Sequence, residues 1–354
     1  MAGCLACKSC AGQCPIKVNV PDFRSRFLEL YHGRYLRPLR DHIISSLELM
    51  APTLKRMAPL YNTMLEKPFI QRTLATGIGM VDVPTLSRND FARQLKGWGI
   101  PEATPVSLGR LTEAQKARSV VLVQDAFTSF FETAVARDVV ELLFTLDINV
   151  FVAPYHPNGK PMQVQGFLGR FERTAARNAA LLNTLGEYGI PLVGIDPAMT
   201  LTYRQEYVKA LGPQQAPEVL LLQEWLVAKG KTLMPNGVTL RDPGFKLLSH
   251  CTEKTTAAGS PKAWQQVFAA FGLELELVAT GCCGMSGTYG HEVRNVETSK
   301  TIYALSWRDV VEEDGNAGRL LATGYSCRSQ AKRFSQAKLL HPLQGLLYAL
   351  KQAS

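Results

Sequence analysis

The sequence predicts an α/β protein in which two pseudo-repeated βαβαβα units with parallel sheets follow a cysteine-rich start and a helical segment. Short apolar runs alternate with longer helix-like stretches from residue 119 onward, and the same order returns in the second half. Corresponding strand ends lie 126, 127 and 129 residues apart, at Asp125, Tyr155 and Ala198 in one unit and Cys251, Cys282 and Cys327 in the other. Near-constant offsets are typical of duplicated units packed about a pseudo-two-fold axis.

The N-terminal third is predicted to be a loop followed by helices. Residues 1–20 are rich in cysteine, and Pro21-Asp22 predicts a helix start because proline is favoured in the first turn. Residues 21–96 are predicted to be helical, with proline and glycine separating segments near 40–50, 53–66 and 68–76. Residues 97–118 hold several glycines and prolines and predict a linker.

The two α/β units are predicted to cover residues 119–230 and 231–354. In the first unit, the predicted strands are 119–123, 148–153 and 190–195, and the predicted helices are 129–146, 164–187, 199–211 and 218–229. In the second unit, the strands are 245–250, 273–279 and 319–323, and the helices are 261–271, 292–313 and 341–351. Ligands of such sheets bind at the carboxyl ends of the strands, where the second unit has its cysteines.

Four cysteines at the N-terminus have the spacing of an iron–sulfur motif. They form the run Cys4-x2-Cys7-x2-Cys10-x3-Cys14, followed by Pro15. Two-residue gaps allow consecutive thiolates to curl around one corner of a cubane cluster, while backbone amides donate hydrogen bonds to its sulfurs. The run therefore predicts a [4Fe-4S] ligand set, and a zinc site is the alternative.

This run is half of the usual arrangement. In two-cluster ferredoxins, the fourth cysteine of each run ligates the other cluster, and the sequence has no second run to supply that cluster's remaining ligands. Only three residues precede Cys4. We therefore expect that the sequence begins in the middle of a longer polypeptide, or that a partner chain supplies the other half.

A second group of cysteines lies in the second α/β unit. It consists of Cys251, Cys282, Cys283 and Cys327, and adjacent cysteines suit different irons of one cluster better than a single tetrahedral zinc. The residues predicted to surround the ligands are His250, Lys254, Gly284, His291 and Arg328. The alternatives are that these cysteines are small buried apolar residues and that the histidines are structural. The first unit has no cysteine, which predicts a copy that kept the scaffold without the metal.

Composition excludes several classes of protein. The net charge of +9 is concentrated in residues 1–118, which hold 17 Lys and Arg against 9 Asp and Glu, but these do not form the dense basic block typical of nucleic-acid binding. No apolar run approaches the ~20 residues that cross a bilayer. We expect a cytoplasmic protein that does not bind nucleic acid. The basic N-terminal third is either a surface that contacts an acidic partner or the inner membrane surface, or a solvated helix face.

The C-terminal motifs resemble those of the CCG-domain proteins, which include heterodisulfide reductase subunits, glycolate oxidase iron–sulfur subunits and an iron–sulfur subunit of the anaerobic glycerol-3-phosphate dehydrogenases. Their motif is Cys, then Cys-Cys-Gly, then Cys-x2-Cys, usually in two copies. Here Cys251, Cys282-Cys283-Gly284 and Cys327 match, whereas Gln330 stands in place of the last cysteine. Four ligands rather than five leave the type of cluster at this site open.

A closer resemblance covers nearly the whole chain. The segments CLACKSCAGQCPIKVNVPDF, HPNGK, GIDPA, HCTEKT, GCCGMSGTYGHE and ATGYSCRSQ are similar to the C-terminal part of the large bacterial FAD and iron–sulfur D-2-hydroxyglutarate dehydrogenases. The resemblance implies an upstream FAD-binding oxidase domain, in the same polypeptide or a separate subunit, and substrate oxidation at a flavin that this chain lacks.

Three hypotheses follow. The first is that the chain relays electrons from flavin-bound oxidation of a 2-hydroxy acid to an acceptor such as a quinone or a carrier protein, because a two-electron flavin is reoxidised stepwise by one-electron carriers. The second is that the C-terminal site reduces a disulfide or quinone directly. The third is that the cysteines form structural zinc sites in an interaction module.

Overall fold

The computed structural model describes residues 3–16, 18–230, 240 and 243–353, so the predicted start of the second unit at 231 lies outside the described residues.

The strands are β1 Ser119–Val123, β2 Asn149–Val152, β3 Leu192–Gly194, β4 Leu220–Leu221, β5 Phe245–Leu248, β6 Leu275–Leu277 and β7 Leu320–Ala322. The helices before β1 are α1 Ser9–Gln13, α2 Val20–Arg34, α3 Leu39–Ser45, α4 Leu47–Arg56, α5 Ala58–Leu65, α6 Pro68–Thr73, α7 Phe91–Gly97, α8 Pro105–Gly109 and α9 Glu113–Ala117. Those of the first sheet are α10 Thr133–Thr145, α11 Lys160–Val164, α12 Leu168–Gly186, α13 Pro197–Thr202, α14 Val208–Leu211 and α15 Leu222–Lys229. Those that follow are α16 Cys251–Thr256, α17 Ser260–Ala270, α18 Val296–Ala304, α19 Arg308–Glu312, α20 Tyr325–Ser335 and α21 Pro342–Ala353.

The described strands form two parallel sheets, which confirms the α/β class. The four-stranded sheet has the order β2-β1-β3-β4, and the three-stranded sheet has the order β6-β5-β7. In each sheet the first strand lies between the second and the third, so that Val121 pairs with Phe151 and Leu192, and Leu247 pairs with Leu277 and Leu321. Parallel strands need helical crossovers, and the chain supplies them between successive strands. That the two sheets arose by duplication stays a prediction.

One hydrophobic core serves both sheets. It joins β1 and β5 to α10, α15, α17 and α21, and it buries Val139, Leu143, Phe245, Trp264 and Leu346. Two further clusters cover the opposite faces, one under α12 and the other around Tyr303 and Trp307. Because apolar burial is the dominant favourable term in folding, the shared core ties the sheets into one body.

Residues 20–78 are mostly helical, but the helix boundaries differ from the predicted ones. Pro52 is predicted to separate two helices, but it lies inside α4. Proline has no N–H to donate to the carbonyl of residue 48, four positions earlier. In this helix, the hydroxyl of Tyr155 donates to that Glu48 carbonyl at 2.9 Å instead. The hydrogen bond that proline loses is thus replaced from the first sheet.

Other predicted boundaries also differ from the structure. The segment 97–118 is predicted to be a linker, yet it contains α8 and α9, each begun by a threonine capping box at Thr104 and Thr112. The predicted helix 292–313 begins later than expected, at Val296, because the backbone of residues 291–293 pairs with residues 79–81. It is also divided into α18 and α19 at residues 305–307. The sequence does not predict helices α1, α16 and α20. They are polar and lack the apolar spacing that identifies a helix in sequence.

The carboxyl ends of the two sheets face each other. The Asp196 carboxylate after β3 accepts a hydrogen bond from the Tyr325 amide after β7 at 2.9 Å, and the rings of Phe127 and Tyr325 stack with 4.8 Å between centroids. Among the residues that the structure describes, no helix combines the length and apolar character of a transmembrane span. The edge between the sheets is where the cysteines gather.

Candidate cysteine site at the strand ends

The structure brings the four C-terminal cysteines together. Cys251 is the first residue of α16 after β5, Cys282 and Cys283 follow β6, and Cys327 lies in the first turn of α20 after β7. The thiols form a chain of hydrogen-bonding neighbours in the order Cys251, Cys282, Cys283, Cys327. Residues 76 positions apart in sequence therefore share one site, because parallel strands place their carboxyl ends at one edge.

The electrostatics of this chain favour one thiolate. Hydrogen bonds from the Cys251 and Cys283 thiols, followed by the Gly284 amide at 3.4 Å from Sγ, hold the pKa of Cys282 well below its usual range. The hydrogen bond that each neighbour donates to Cys282, together with burial, raises the pKa of Cys251 and of Cys283. The thiolate is the form of cysteine that binds metals, so Cys282 is already suited to be a ligand, whereas Cys251 and Cys283 would have to lose a proton when a cation binds.

The backbone around the Cys-Cys-Gly segment fits only glycine at its third position. Gly284 has φ +83°, and a Cβ there would lie 2.4 Å from the Ser299 carbonyl oxygen. The buried Gln330 amide donates to the Cys283 carbonyl at 2.9 Å and to the Ser299 hydroxyl at 2.8 Å. Gln330, which stands where the related motif has its last cysteine, thus holds the loop that carries Cys282 and Cys283.

The four other residues predicted to surround the ligands have assignable roles. His250 caps α16, accepting from the Thr252 amide at 3.3 Å, with its Nε2 3.3 Å from the Ser326 hydroxyl. Lys254 donates to the Thr280 carbonyl. His291 is bound to the Val81 carbonyl at 3.1 Å, and burial, followed by the Arg333 charge, lowers its pKa to about 4.

Arg328 lies beside Cys327, and its direct contacts are with other groups. Its buried guanidinium contacts the Glu132 carboxylate at 2.5 Å and 3.0 Å and donates to the carbonyls of Ala322 and Thr323 at 2.8 Å and 3.0 Å. These contacts link β7 to the segment after β1. Arg328 therefore joins the two sheets as well as lying beside Cys327.

The N-terminal run forms a loop that leads into α1. Cys4, Cys7, Cys10 and Cys14 are all partly buried free thiols, and the Ala6 amide lies 3.4 Å from the Cys4 sulfur. Ala6 and Lys8 have φ of 53° and 63°, which curls the chain around this corner. Helix α1 contacts α16, and Cys7 and Cys251 line the same cavity. The two cysteine groups are thus neighbours in the fold.

A buried ion group fixes the N-terminal loop to the first α/β unit. The Lys8 and Lys160 ammonium groups each lie 2.5 Å from the same Glu206 carboxylate oxygen, and the side chains of Lys8 and Glu206 are 5% and 3% exposed. These two lysines lower the pKa of Glu206 to about 2 against the effect of burial. Two ammonium groups and one carboxylate leave one net positive charge beside the cysteine run.

The corresponding edge of the first sheet carries acidic groups instead of cysteines. Asp125 follows β1, where it accepts from the Phe127 and Thr128 amides at 2.8 Å and 3.0 Å. Glu48 of α4 accepts from the Gly159 amide at 2.6 Å. Burial raises the pKa of Asp125 to about 6 and of Glu48 to about 7. This edge binds backbone amides, and its chemistry differs from that of the thiol site.

A cavity of about 370 Å³ lies between the two sheet edges and the N-terminal helices. Cys7 and Cys251 both contribute to its wall, and the remaining lining is mostly apolar, including Ile44, Leu47, Met199 and Met285. This volume falls in the range of small-molecule sites. The two cysteine groups therefore meet at the wall of one cavity.

Sequence reasoning missed Lys8, Lys160, Glu206 and Glu48. Lys160 belongs to the segment HPNGK, which the sequence marks only through a resemblance. Lys8 lies 198 positions from Glu206, and nothing in a single sequence signals such a pair. Within the part of the chain that the structure describes, no group of three or more His, Cys, Asp or Glu side chains is arranged to hold a single metal ion.

The chain is similar over nearly its whole length to curated proteins named D-2-hydroxyglutarate dehydrogenase. The protein from Pseudomonas putida is 55% identical over 347 residues, which are 98% of this chain and 34% of that protein. The protein from Escherichia coli K12 is 46% identical over 352 residues, again 34% of its length. A polypeptide of the anaerobic glycerol-3-phosphate dehydrogenase of Escherichia coli K12 is 24% identical over 346 residues, which are 95% of this chain and 83% of that polypeptide. No protein-family model matches the chain. The chain thus spans about a third of the length of the D-2-hydroxyglutarate dehydrogenases that it matches.

Proposed function

We propose that this chain is the iron–sulfur electron-transfer portion of an FAD-dependent 2-hydroxy acid dehydrogenase, with D-2-hydroxyglutarate as the substrate. One observation carries the proposal: Cys7 of the N-terminal run and Cys251 of the C-terminal group line one cavity, where α1 contacts α16. Two cysteine groups in such proximity suit the transfer of single electrons from one iron centre to the next.

The chemistry of the residues at both groups supports the proposal of iron–sulfur clusters. All eight cysteines are free thiols, and amides of Ala6 and Gly284 point at the sulfurs of Cys4 and Cys282, as they do in protein-bound clusters. The net positive charge of the Lys8, Lys160 and Glu206 group favours an anionic cluster beside it. Cys4, Cys7, Cys10 and Cys14 would be iron ligands at the N-terminal run, with Cys14 serving the cluster of the other run, and Cys251, Cys282, Cys283 and Cys327 would hold iron at the C-terminal site. The clusters would supply reversible one-electron redox chemistry.

The relatives support the wider context. We propose that this chain corresponds to the C-terminal part of proteins about three times its length, and that the FAD-binding oxidase domain and the other ferredoxin-type run belong to the remaining part. The placement of the first strand between the second and the third in both sheets supports a duplication in which only the second copy carries cysteines. Free thiols in such number also suit the reducing cytoplasm.

Anaerobic loading of the full chain with iron and sulfide tests the proposal. We expect acid-labile sulfide and an electron paramagnetic resonance signal after reduction with dithionite. Cys251→Ala should remove the contribution of the C-terminal site alone, Cys7→Ala that of the N-terminal site alone, and Ser9→Ala should change neither. A colourless protein that binds only zinc would contradict the proposal and favour structural zinc sites in an interaction module.

A second candidate function is direct reduction of a disulfide or a quinone at the C-terminal site. The observation that favours it is the cavity that Cys251 lines, because a simple relay does not need a small-molecule site. Freeze-quenched spectra of the reduced chain mixed with either class of compound distinguish the candidates. A spectrum that neither compound perturbs would exclude direct reduction.

A further inference from the structure

We propose that the cavity between the sheet edges and helices α3 to α5 binds a quinone, an uncharged, flat, lipid-soluble electron acceptor, with its ring next to Cys251. This inference rests on the proposed electron-transfer function and names the acceptor. Four features support it: the position of the cavity, its wall, its polar end and its entrance.

The cavity is not the space that a cluster itself would fill. A cluster contacts all of its ligands, yet only Cys7 from one group and Cys251 from the other line the cavity. The remaining six cysteines contribute nothing to its wall. The cavity therefore lies beside both cysteine groups, at the position from which a bound molecule can exchange electrons with either.

The wall excludes charged ligands. It is built mainly from aliphatic and aromatic side chains, and each charged group on it already has partners. Lys160 is bound to Glu206 at 2.5 Å, and Arg40 lies 3.3 Å from Glu292. The Asp196 carboxylate accepts from three backbone amides. A disulfide compound with negative charge would need a cation in the wall as its partner, and it could gain one only by breaking these contacts. An uncharged quinone needs no such partner.

Hydrogen-bonding groups gather at the Cys251 end of the cavity. Thr252 and His250 flank Cys251, and Ser326 lies 3.3 Å from the His250 ring. Hydroxyl and imidazole groups are suitable donors to a quinone carbonyl oxygen. The apolar walls from α3 and α4 then suit an isoprenoid tail, so that the ring is oriented towards the cysteines.

The entrance is apolar on the outside as well. Ile43 and Met50 line the cavity and are 38% and 40% exposed, so they mark its mouth. The same helices and their neighbours expose further large apolar residues, namely Leu36, Leu39, Leu49, Met57 and Leu60. An exposed apolar patch of this kind marks an interaction site, and here it surrounds the opening to an apolar cavity. A lipid-soluble ligand would enter from this side.

The redox step balances with the electron source of the proposed function. Iron held by Cys251 and its neighbours would supply one electron at a time, and these electrons would originate in the oxidation of the hydroxy acid. A quinone at this site would take up two such electrons and two protons from water, and both of its carbonyls would become hydroxyl groups.

Binding of decylubiquinone to the full, iron-loaded chain tests the inference by calorimetry. Met50→Trp narrows the mouth and should weaken binding at least tenfold. The matched control is Met64→Trp, on a helix position of similar exposure that does not line the cavity, which should leave binding within twofold. Ser326→Ala should weaken binding severalfold through loss of one hydrogen bond.

Two outcomes separate this inference from the proposed function. If reducible clusters assemble but decylubiquinone neither binds nor reoxidises them, the quinone site is wrong and the relay stands. If decylubiquinone binds with the expected dependence on Met50 while no cluster assembles, the electron-transfer function fails and the binding site stands. Equal weakening by Met50→Trp and Met64→Trp would assign binding to the outer surface and overturn the inference.

Discussion

Glu206 is predicted to stabilise the fold strongly, because it is the one carboxylate between two buried ammonium groups. Glu206→Gln keeps the shape of the side chain and removes its charge. The lysines lower the pKa of Glu206 from 4.5 to about 2, and this difference corresponds to about 3 kcal/mol. Removing one partner of a buried ion pair costs about 3–5 kcal/mol in other proteins, which agrees. We expect Glu206→Gln to lower the free energy of unfolding by about 3 kcal/mol at pH 7.

Lys8→Met provides the matched comparison. Burial lowers the pKa of Lys8 from 10.5 to about 8, so the protonated side chain is less favourable in the folded state than in the unfolded chain. Methionine fills a similar volume without charge. It leaves Lys160 and Glu206 as an ion pair whose positive and negative charges balance. We expect this variant to be as stable as the wild type or more stable, by up to about 3 kcal/mol.

Urea unfolding of the full chain at matched iron content measures both effects. The Glu206 contribution is present above pH 4.5 and is lost as the pH falls through about 2, because its folded-state pKa is the lower one. The gap between wild type and Glu206→Gln should therefore shrink below pH 4.5. A Glu206→Gln variant within about 1 kcal/mol of the wild type at pH 7, or a Lys8→Met variant that loses as much stability as Glu206→Gln, would refute the reasoning.

Three further predictions concern other buried groups. Glu132→Gln leaves the fully buried Arg328 without its carboxylate, and the free energy of unfolding should fall by about 3–5 kcal/mol in urea titrations. Gly284→Ala forces alanine into a left-handed backbone conformation and into a clash with a carbonyl oxygen. We expect the free energy of unfolding to fall by at least about 1–2 kcal/mol and iron to be lost from the C-terminal site. Gly287→Ala is the control, because its backbone is also left-handed but its Cβ would meet no neighbouring atom. Burial raises the pKa of Glu48 from 4.5 to about 7, so its neutral form contributes stability below pH 4.5 that is lost as the pH rises through 7. Glu48→Gln should remove about 3 kcal/mol of this pH dependence, measured as the difference between urea unfolding at pH 4.5 and pH 8.

The sequence predicts the sheets well because their strands are short, buried apolar runs. Ser119–Val123 is a strand with the predicted bounds, and the other strands lie inside the predicted ranges. The exception is Leu220–Leu221, whose two residues are too few to form a pattern. Helices that carry ligands are harder to predict. Cys251–Thr256 has no apolar period, because its residues face the site and neighbouring side chains rather than a core.

The meeting of the two cysteine groups is predictable only in part. Cys251, Cys282 and Cys327 come together because parallel strands share an edge, which is a rule that sequence order alone supports. The approach of Cys7 to Cys251 depends on the contact of α1 with α16 and on the Lys8–Glu206 pair. These are contacts between segments about 200 or more residues apart, which one sequence does not reveal.

The last helix of the chain packs on an early one, which constrains how the protein can be made. Helix α21 lies against α10 in the shared core, and Lys351 and Gln344 contact Glu141 and Asp138. During synthesis, the apolar side of α10 consequently stays uncovered until roughly 200 further residues have left the ribosome. A nascent chain stalled before residue 342 would expose that surface to chaperones and proteases, so the shared core is expected to close only after α21 has been synthesised.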